Sequence, residues 1–370
     1  MKHLIALILF LASLPALAAS PIAGLVTSRT SGTAPLCVHF DATGSTDADT
    51  TNPFRDLLYR WNFGDPGSGT WARGANTSLS KNLARGPVAA HCYETAGSYT
   101  AKLQVCDATA CVSTSQAITV TAADTTYSTT ATYCFYNSTL GTGCPSGTPV
   151  ENQISSSDFD AAIGTCLASG KRCLFKRGDT FDLSAVISVT GISGAHIGAY
   201  GSGAKPIVQS LSGIDVFRWS SGTSNIAVVD VDFNGYGLTG SGGGVSRAYN
   251  DVSNITLLRV VCRNQAACTG MTGNGDTNRV TGYFVVDSEL YAYTGGNAVY
   301  AAVEQSAFLG NFIDDARGPG YPGCAWCEAE HGARIQYGQK SIISHNYFGK
   351  AWNDKSQLTI RAAPRGNTGA

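Results

Sequence analysis

The chain has little charge, little methionine and no long helical pattern. Of its 370 residues 14% are charged, the net charge is −1, and 2 are methionine. It has no run of Lys and Arg, so it lacks the usual signature of a nucleic-acid-binding protein, and we expect no nucleic-acid partner. Glycine, by contrast, occurs 43 times, which is typical of short strands joined by tight turns.

The long apolar run of the chain is at its start, in MKHLIALILFLASLPALAAS. Lys2 and His3 form a basic beginning, the apolar stretch is too short for a transmembrane helix, and Ala16-Leu17-Ala18 is an A-x-A cleavage site. We therefore expect a signal peptide over residues 1–19, no membrane span, and a protein that is secreted or held at the cell surface. The alternative is an uncleaved anchor.

The cysteines support export. There are 12 of them, all after the apolar run, and most stand in near pairs. In an oxidising compartment this spacing predicts local disulfides, although spacing alone leaves other pairings open. The expected pairs are Cys37–Cys92, Cys106–Cys111, Cys134–Cys144, Cys166–Cys173, Cys262–Cys268 and Cys324–Cys327.

Residues 21–121 alternate between apolar and polar positions in short stretches such as PLCVHFDA, YRWNFGD and SYTAKLQVC. Such stretches without a helical pattern predict a β-sandwich of about a hundred residues. YRWNFGDPGSG and HCYETAGSYTAKLQV resemble the PKD domain, an Ig-like accessory module often attached to secreted degradative enzymes. Asn62 and Pro66 stand where Asp and Gly are commoner in that family. The matching positions are Trp61, Phe63, Gly64, Asp65, His91, Tyr93, Gly97 and Tyr99.

Some relatives of the PKD domain bind calcium near this turn. In this chain Asp47, Asp49 and Asp65 could supply the oxygen ligands. The alternative is that these aspartates only form turns, as aspartate commonly does.

Residues 122–150 are rich in Thr, Ser, Gly and Pro, and predict a linker. DFDAAIGTCLA then predicts a short amphipathic helix with Ser157 as its N-cap, covering the open N-terminal end of a second domain.

A repeat begins after this helix, in NIAVVDVDF, NITLLRVVC, GYFVVDSEL, SAFLGNFI and SIISHNYF, whose ends are 29, 28, 23 and 35 residues apart. Strand-rich repeats of this length predict a parallel β-helix over residues 151–370, with a Greek-key sandwich as the competing interpretation. Ser288, Asn311 and Asn346 fall in one column of the repeat.

The repeat, the LFKRGDTF strand and the N-x-F segment ends resemble the pectate-lyase-like superfamily of right-handed parallel β-helices. We therefore predict an all-β chain, with an Ig-like sandwich followed by a right-handed parallel β-helix. The resemblance implies a monomer whose partner is a polysaccharide, cleaved by elimination or hydrolysis. The same superfamily includes phage tail proteins and adhesins, so the fold alone does not fix the activity.

The chain ends in RAAPRGNTGA on an unfinished coil, and we expect that a later part is missing.

Elimination from a uronic acid requires a group that neutralises the carboxylate, a base and an acid. Glu328 and Glu330 alternate along one strand and could bind calcium. Lys340 is the predicted base, with His345 as an alternative. The further catalytic candidates are Arg334, Arg361 and His331. There is a loose similarity to the chondroitinase B and alginate lyase group, in which a K-S pair precedes an L-T-L-R segment; here Lys340-Ser341 precedes LTIR, but Ala362 replaces a histidine.

Other interpretations stay open. Asp314-Asp315, His331-Gly332 and Arg334-Ile335 are similar to polygalacturonase motifs, which would make the chain a hydrolase. A non-catalytic adhesion or glycan-binding protein is the second alternative. Cys324, Cys327 and His331 could hold a metal instead of forming a disulfide. The aromatic residues that could stack on sugars or fill loops are Tyr291, Tyr293, Trp326 and Trp352.

Overall fold

The fold is all-β, as the sequence predicts, with a sandwich followed by stacked parallel strands. The computed structural model describes residues 19–73, 77–236, 243–249, 251–271, 280–301, 303–324, 327–329, 331–336, 338–351 and 356–361, with the backbone alone of Gln336 and Arg361. The predicted signal peptide therefore lies outside the described residues, apart from Ala19. No helix among these residues is long and apolar enough to cross a membrane.

The N-terminal domain consists of two sheets that face each other. Its elements are β1 (Val26–Thr27), β2 (Ser31–Thr33), β3 (Leu36–Asp41), α1 (Pro53–Asp56), β4 (Leu58–Asn62), β5 (Leu83–Arg85), β6 (Val88–Tyr93), β7 (Gly97–Cys106) and β8 (Cys111–Thr121). One sheet has the order β1-β3-β6 and the other β2-β8-β7-β4-β5. A 3₁₀ turn, Pro66–Ser68, follows the NFGD segment.

Trp61 is a core residue of the sandwich, as predicted, and is 2% exposed. Its indole Nε1 donates to the carbonyl of Gly86 at 2.8 Å, which satisfies the polar atom of an otherwise apolar side chain. Gly64 has φ +73°, and a Cβ there would clash with the backbone of Thr100. Only glycine fits this turn without strain, which explains the G of the NFGD segment.

The second domain is a parallel β-helix of three sheets. Sheet 1 contains β9 (Thr132–Tyr136), β10 (Gln153–Ser155), β11 (Arg172–Lys176), β14 (Ser193–Tyr200), β17 (Ser224–Val229), β20 (Val252–Leu258), β23 (Val280–Val286), β26 (Val303–Glu304), β27 (Ala307–Leu309) and β30 (Ile342–Ser344). Sheet 2 contains β12 (Thr180–Leu183), β15 (Ile207–Ser210), β18 (Asp232–Asn234), β21 (Val261–Arg263), β24 (Glu289–Tyr291), β28 (Phe312–Asp314) and β31 (Tyr347–Phe348). Sheet 3 contains β13 (Ile187–Val189), β16 (Phe217–Trp219), β19 (Gly244–Ala248), β22 (Ala267–Met271), β25 (Asn297–Ala301), β29 (His331–Gln336) and β32 (Leu358–Arg361).

Each coil passes through sheets 1, 2 and 3 in turn, and the register of sheet 1 confirms the predicted repeat. Ile226 pairs with Ile255, which pairs with Tyr283, so successive coils repeat after 29 and 28 residues. All three side chains point into one apolar core that runs along the axis. The predicted column is also present: the Ser288 N–H donates to Asn311 Oδ1, and the Asn311 N–H donates to Asn346 Oδ1, both at 2.9 Å.

The predicted helix forms, with a different N-cap. Helix α3 (Phe159–Cys166) begins after Asp158, whose carboxylate accepts from the Ala161 N–H at 3.0 Å, so Asp158 and not Ser157 is the cap. Phe159, Ile163 and Cys166 are buried against the end of the core.

Residues 122–150 are not only a linker. They include α2 (Ala123–Thr126) and β9, and β9 pairs in parallel with both β10 and β11. The β-helix thus begins inside this segment, where the short apolar stretch TYCFY is surrounded by Ser, Thr and Gly that hide its pattern.

Six disulfides join the cysteines in the predicted pairs. Five of the six link residues at most 10 positions apart in sequence and close local loops. Cys37–Cys92 instead spans 55 positions and ties β3 to β6. The pairing of Cys324 with Cys327 leaves these two sulfurs without the free thiolates that a zinc site needs.

The sandwich packs against the outer face of sheet 1. Trp71, 6% exposed, lies in an apolar cluster with Leu258, Phe284 and Val286, and its ring stacks on His345 at 4.8 Å between centroids. Charged pairs surround this cluster: Lys81–Asp287, Arg73–Glu289, Glu94–Arg259 and Asp41–Lys340.

Candidate functional site

The predicted base, Lys340, lies at the contact between the two domains. It follows β29 at a corner of the coil, with φ +48°. Its Nζ is 2.5 Å from Asp41 Oδ2, on β3 of the sandwich, and its carbonyl oxygen is 2.6 Å from His39 Nε2. Burial raises the pKa of the Asp41 carboxyl, but hydrogen bonds from Lys340 and Thr43 outweigh it and hold that pKa below its usual range. The ammonium of Lys340 therefore faces a carboxylate of the neighbouring domain.

Two of the other predicted residues, Glu328 and His331, lie at or just before the start of β29. Glu328 is exposed just before this strand, and His331, its first residue, has Nδ1 3.0 Å from the carbonyl oxygen of Ser356. The rest of β29 separates His331 from Lys340, a span of about 17 Å from His331 to Gln336 at the rise of a strand. Glu330 and the side chain of Arg361 lie outside the described residues. The structure thus does not bring Lys340 together with Glu328 and His331, and the roles predicted for them stay predictions.

Arg334 belongs to a different grouping. It points outward from sheet 3, and the pairing of successive strands places it in line with residues of the preceding coils. We call this line the arginine–tyrosine column; it consists of Arg218, Arg247, Gly270, Tyr300 and Arg334. Neighbouring members are one strand spacing apart, about 4.8 Å.

Asp215 holds the first two arginines of the column. Its carboxylate is 2.7 Å from Arg218 Nε and 2.6 Å from Arg247 Nε, and it also accepts from the Gly244 N–H at 2.9 Å. Asp215 is 3% exposed, while both arginine side chains are nearly half-exposed. The hydrogen bond to Asp215 raises the pKa of Arg218. One buried carboxylate therefore orients two guanidinium groups that remain accessible to solvent.

The other half of the column joins an aromatic ring to a cation. The guanidinium carbon of Arg334 is 5.8 Å from the centre of the Tyr300 ring, which is a cation–π distance. Arg334 Nε is buried and makes no hydrogen bond within the described part of the chain. Three arginines against one aspartate give this face a positive charge, although the whole chain has a net charge of −1.

Gly270 forms the floor of a groove between Arg247 and Tyr300. The groove has a volume of about 200 Å³, and Tyr249 and Asn297 line its sides. A Cβ on Gly270 would meet its nearest heavy atom, Arg247 Cγ, at 3.6 Å, so the space above it is open. Asn297 Oδ1 is buried there and has no hydrogen-bond partner among the residues described.

The calcium sites predicted from sequence are not tested by the structure. Within the described ranges, no group of three or more His, Cys, Asp or Glu side chains is arranged to hold a metal ion. In the sandwich, Asp65 Oδ2 is 3.0 Å from His91 Nε2, and Asp47 Oδ1 accepts from the Asp49 N–H at 3.2 Å. The Asp47 contact fits the alternative in which the aspartates form turns, whereas the Asp65 carboxylate contacts a histidine of β6.

The carboxylates of the hydrolytic alternative already have partners on their own coil or on the next one. Asp314 Oδ1 accepts from the N–H groups of Asp315 and Lys350, and Asp315 pairs with Arg317 at 2.9 Å. Tyr293 is a core residue, 1% exposed, whereas Tyr291 lies at the end of a sheet 2 strand and is partly exposed. Trp326 and Trp352 lie outside the described residues.

Arg218, Arg247 and Tyr300 were not predicted from sequence. They occur at unequal separations because the loops between coils differ in length, so they have no common motif. The signal that could have found them is their position in the strands FRW, GVSRA and NAVYA, where each interrupts inward-facing small or apolar residues.

Comparison with known proteins finds a family match for one of the two domains. One solved structure that matches is described as "Structural basis for the promiscuous specificity of the carbohydrate-binding modules from the beta-sandwich super family"; it is 28% identical, with a TM-score of 0.21. That alignment covers 28% of this chain and 35% of the other, and says nothing about the activity of this chain. No curated protein matches the chain. Residues 18–122 match the PKD domain family, so the N-terminal sandwich is similar to a PKD domain over almost its whole length.

Proposed function

We propose that the chain is an exported protein that binds an acidic polysaccharide along the arginine–tyrosine column of sheet 3. The observation that carries this proposal is the alignment of Arg218, Arg247 and Arg334 with Tyr300 on one outward face. Six disulfides and the predicted signal peptide support export, since disulfides persist in oxidising compartments.

The chemistry of the column suits a chain of sugar acids. A guanidinium donates two parallel hydrogen bonds to a carboxylate, and arginine is less strongly hydrated than lysine. The face of an aromatic ring packs against the apolar face of a sugar, and Tyr300 lies between the cations. The column runs along the axis of the solenoid, so an extended glycan can meet one member after another.

A nucleic acid is a poorer fit, although it is also an extended polyanion. Binding of a phosphate backbone depends on many Lys and Arg contacts, whereas this face presents three arginines, two of them sharing Asp215.

Cleavage of the glycan by β-elimination is the finer proposal. Arg334 would neutralise the carboxylate of the sugar, and Lys340 would be the base, with Arg361 as a further catalytic candidate. His331 as a catalytic residue and Glu328 and Glu330 as calcium ligands form an alternative set, because Glu328 and His331 do not lie near Lys340. For Lys340 to act as a base, its ion pair with Asp41 must open and the ammonium must lose a proton to solvent, because a protonated ammonium cannot accept a proton. Binding therefore requires only the arginine–tyrosine column, whereas cleavage also requires release of Lys340 from Asp41. The two properties can be tested separately.

The first test measures both properties on one panel. The full chain is incubated with pectate, alginate and glycosaminoglycans, with and without calcium, and with dextran as the neutral control. Affinity electrophoresis reports binding, and ultraviolet absorbance of the unsaturated product reports elimination. Retardation by at least one acidic glycan and not by dextran supports the binding proposal, and failure to bind any acidic member contradicts it. Absence of product with every substrate contradicts the elimination proposal alone.

Gly270→Leu tests the place of binding by filling the groove. The nearest atom to a Cβ at this position is 3.6 Å away, so we expect the coil to form and the leucine to project above the floor. Retardation by the acidic glycan should then be lost. Gly44→Leu is the matched control in the sandwich, where a Cβ meets nothing within 4 Å. Equal retardation of Gly270→Leu and the wild type would place the glycan elsewhere.

A further inference from the structure

A second polar cavity lies between the two domains, away from the arginine–tyrosine column. Its volume is about 290 Å³. The sandwich contributes the segment from Arg29 to Pro35, and sheet 1 contributes the outward side of β14, β17 and β20. The lining residues that matter here are Arg29, Ser31, Thr33, His196, Asn225 and Asn254.

Arg29 is a partly buried cation without an anionic partner among the described residues. Its Nε donates to the Cys37 carbonyl at 2.8 Å, and one terminal nitrogen donates to Asn225 Oδ1 at 3.4 Å. Both acceptors are neutral, and Asn225 Oδ1 is shared with the Nδ2 of Asn254. Burial lowers the pKa of Arg29 to about 10, because the charged form loses hydration that no carboxylate replaces. Charges that lose hydration on folding are normally paired in proteins, so the lack of a described anion beside Arg29 calls for a reason.

The other charges near the cavity do not compensate Arg29. Arg172 is paired with Asp124 at 2.7 Å, which leaves that pair neutral as a whole. His196 is kept uncharged, since burial, with the positive charge of Arg172 nearby, lowers its pKa to about 4. Its Nδ1 is buried and has no hydrogen-bond partner in the described ranges. The cavity therefore carries one net positive charge and an unused imidazole nitrogen.

The remaining lining is suited to a sugar ring. Ser31, Thr33 and Asn254 supply hydroxyl and amide groups that donate and accept hydrogen bonds. The Tyr127 ring supplies an aromatic face, 6.0 Å from the His196 ring between centroids. We propose that this cavity binds a single sugar carboxylate, a uronic acid, with its carboxylate against the Arg29 guanidinium and its hydroxyls on the surrounding Ser, Thr and Asn groups. The site is independent of the column on sheet 3 and does not require that the column bind glycan.

Isothermal titration of the full chain with glucuronate and galacturonate tests the proposal. The comparison ligands are glucose, which has the sugar ring without the charge, and acetate and phosphate, which have the charge without the ring. We expect one uronate to bind per chain at this site, glucose not to bind, and acetate and phosphate to bind more weakly. Failure of both uronates to bind, or binding of acetate as tightly as uronate, overturns the proposal.

Variants locate the site. Arg29→Met should lower uronate affinity at least about tenfold, the effect of losing one charge-assisted hydrogen bond of about 1.5 kcal/mol. Arg60→Met, an exposed arginine on β4 of the same domain, is the control and should bind as the wild type does. The double variant Arg247→Gln/Arg334→Gln should also retain this binding, which separates the cavity from the column. Should Arg29→Met not fold, Arg29→Lys keeps the charge without the planar fork, and undiminished affinity in a folded Arg29→Lys contradicts the proposed geometry.

Discussion

The ammonium of Lys340, in the β-helix, lies 2.5 Å from the carboxylate of Asp41, in the sandwich. The lysine side chain is 43% exposed and the aspartate 11%, so the pair stands at the rim of the domain contact. A residue that the sequence predicts as a catalytic base is therefore held, in this structure, as one half of an interdomain ion pair.

We predict that Lys340→Met weakens the contact between the domains by about 1 kcal/mol, the value of a partly exposed pair. A double-mutant cycle with Asp41→Asn, read by denaturant unfolding, measures the coupling. The pKa of Asp41 is lowered in the folded protein, so its contribution is present above the unfolded value of 3.8 and is lost as the pH falls below it. The coupling should thus be measurable at pH 7 and decrease as the pH falls below 3.8. Lys102→Met, on the exposed side of β7, is the control and should show no coupling with Asp41→Asn. Zero coupling between Lys340→Met and Asp41→Asn at pH 7 would contradict the ion pair.

The second prediction concerns Trp71, the centre of the apolar contact between the domains. Replacing it by alanine removes the stack on His345 and should cost about 3–5 kcal/mol, as for other buried tryptophans. We expect the wild type to unfold in one transition and Trp71→Ala in two, because the domains no longer support each other. Phe54→Ala, which removes an aromatic that is 61% exposed on the same domain, should leave the single transition unchanged. Identical denaturation curves for the wild type and Trp71→Ala would show that the contact is not stabilising.

The third prediction follows from His196. Its pKa is about 4 in the folded protein against 6.5 for the free side chain, so the unfolded state takes up the proton first as the pH falls. Stability should therefore decrease between pH 6.5 and pH 4, by at most about 1.4 kcal/mol per pH unit from this group. His196→Leu should flatten this part of the profile of unfolding free energy against pH. An unchanged slope in His196→Leu would mean that the histidine is hydrated in the folded protein.

The repeating parts of the molecule could be predicted from sequence, since each coil must present apolar residues to the same core. That constraint accounts for the 29- and 28-residue steps in sheet 1 and for the position of the Ser288–Asn311–Asn346 column. The local disulfides follow instead from the short spacing of the cysteines. The N-cap was misplaced by one residue because Ser157 and Asp158 are both good caps, and β9 was missed because its five residues give too short a pattern.

The domain contact could not be predicted, because it depends on how two rigid bodies fit. All six residues of β3 are buried, since one side of the strand faces the sandwich core and the other, with His39 and Asp41, faces the β-helix. The sequence shows only that apolar and polar residues alternate along β3. Arg247 and Tyr300 were missed for a related reason: their alignment depends on loop lengths that change from coil to coil.

Binding of a uronic-acid oligosaccharide to Arg247→Gln/Arg334→Gln, measured by calorimetric titration beside the wild type, tests the central claim most directly. Arg263→Gln, which removes an arginine from sheet 2, is the control. The account predicts that the double variant loses at least about tenfold in affinity, since each guanidinium–carboxylate contact provides about 1.5 kcal/mol or more, and that the control keeps wild-type affinity. Equal affinity of the double variant and the wild type would contradict it.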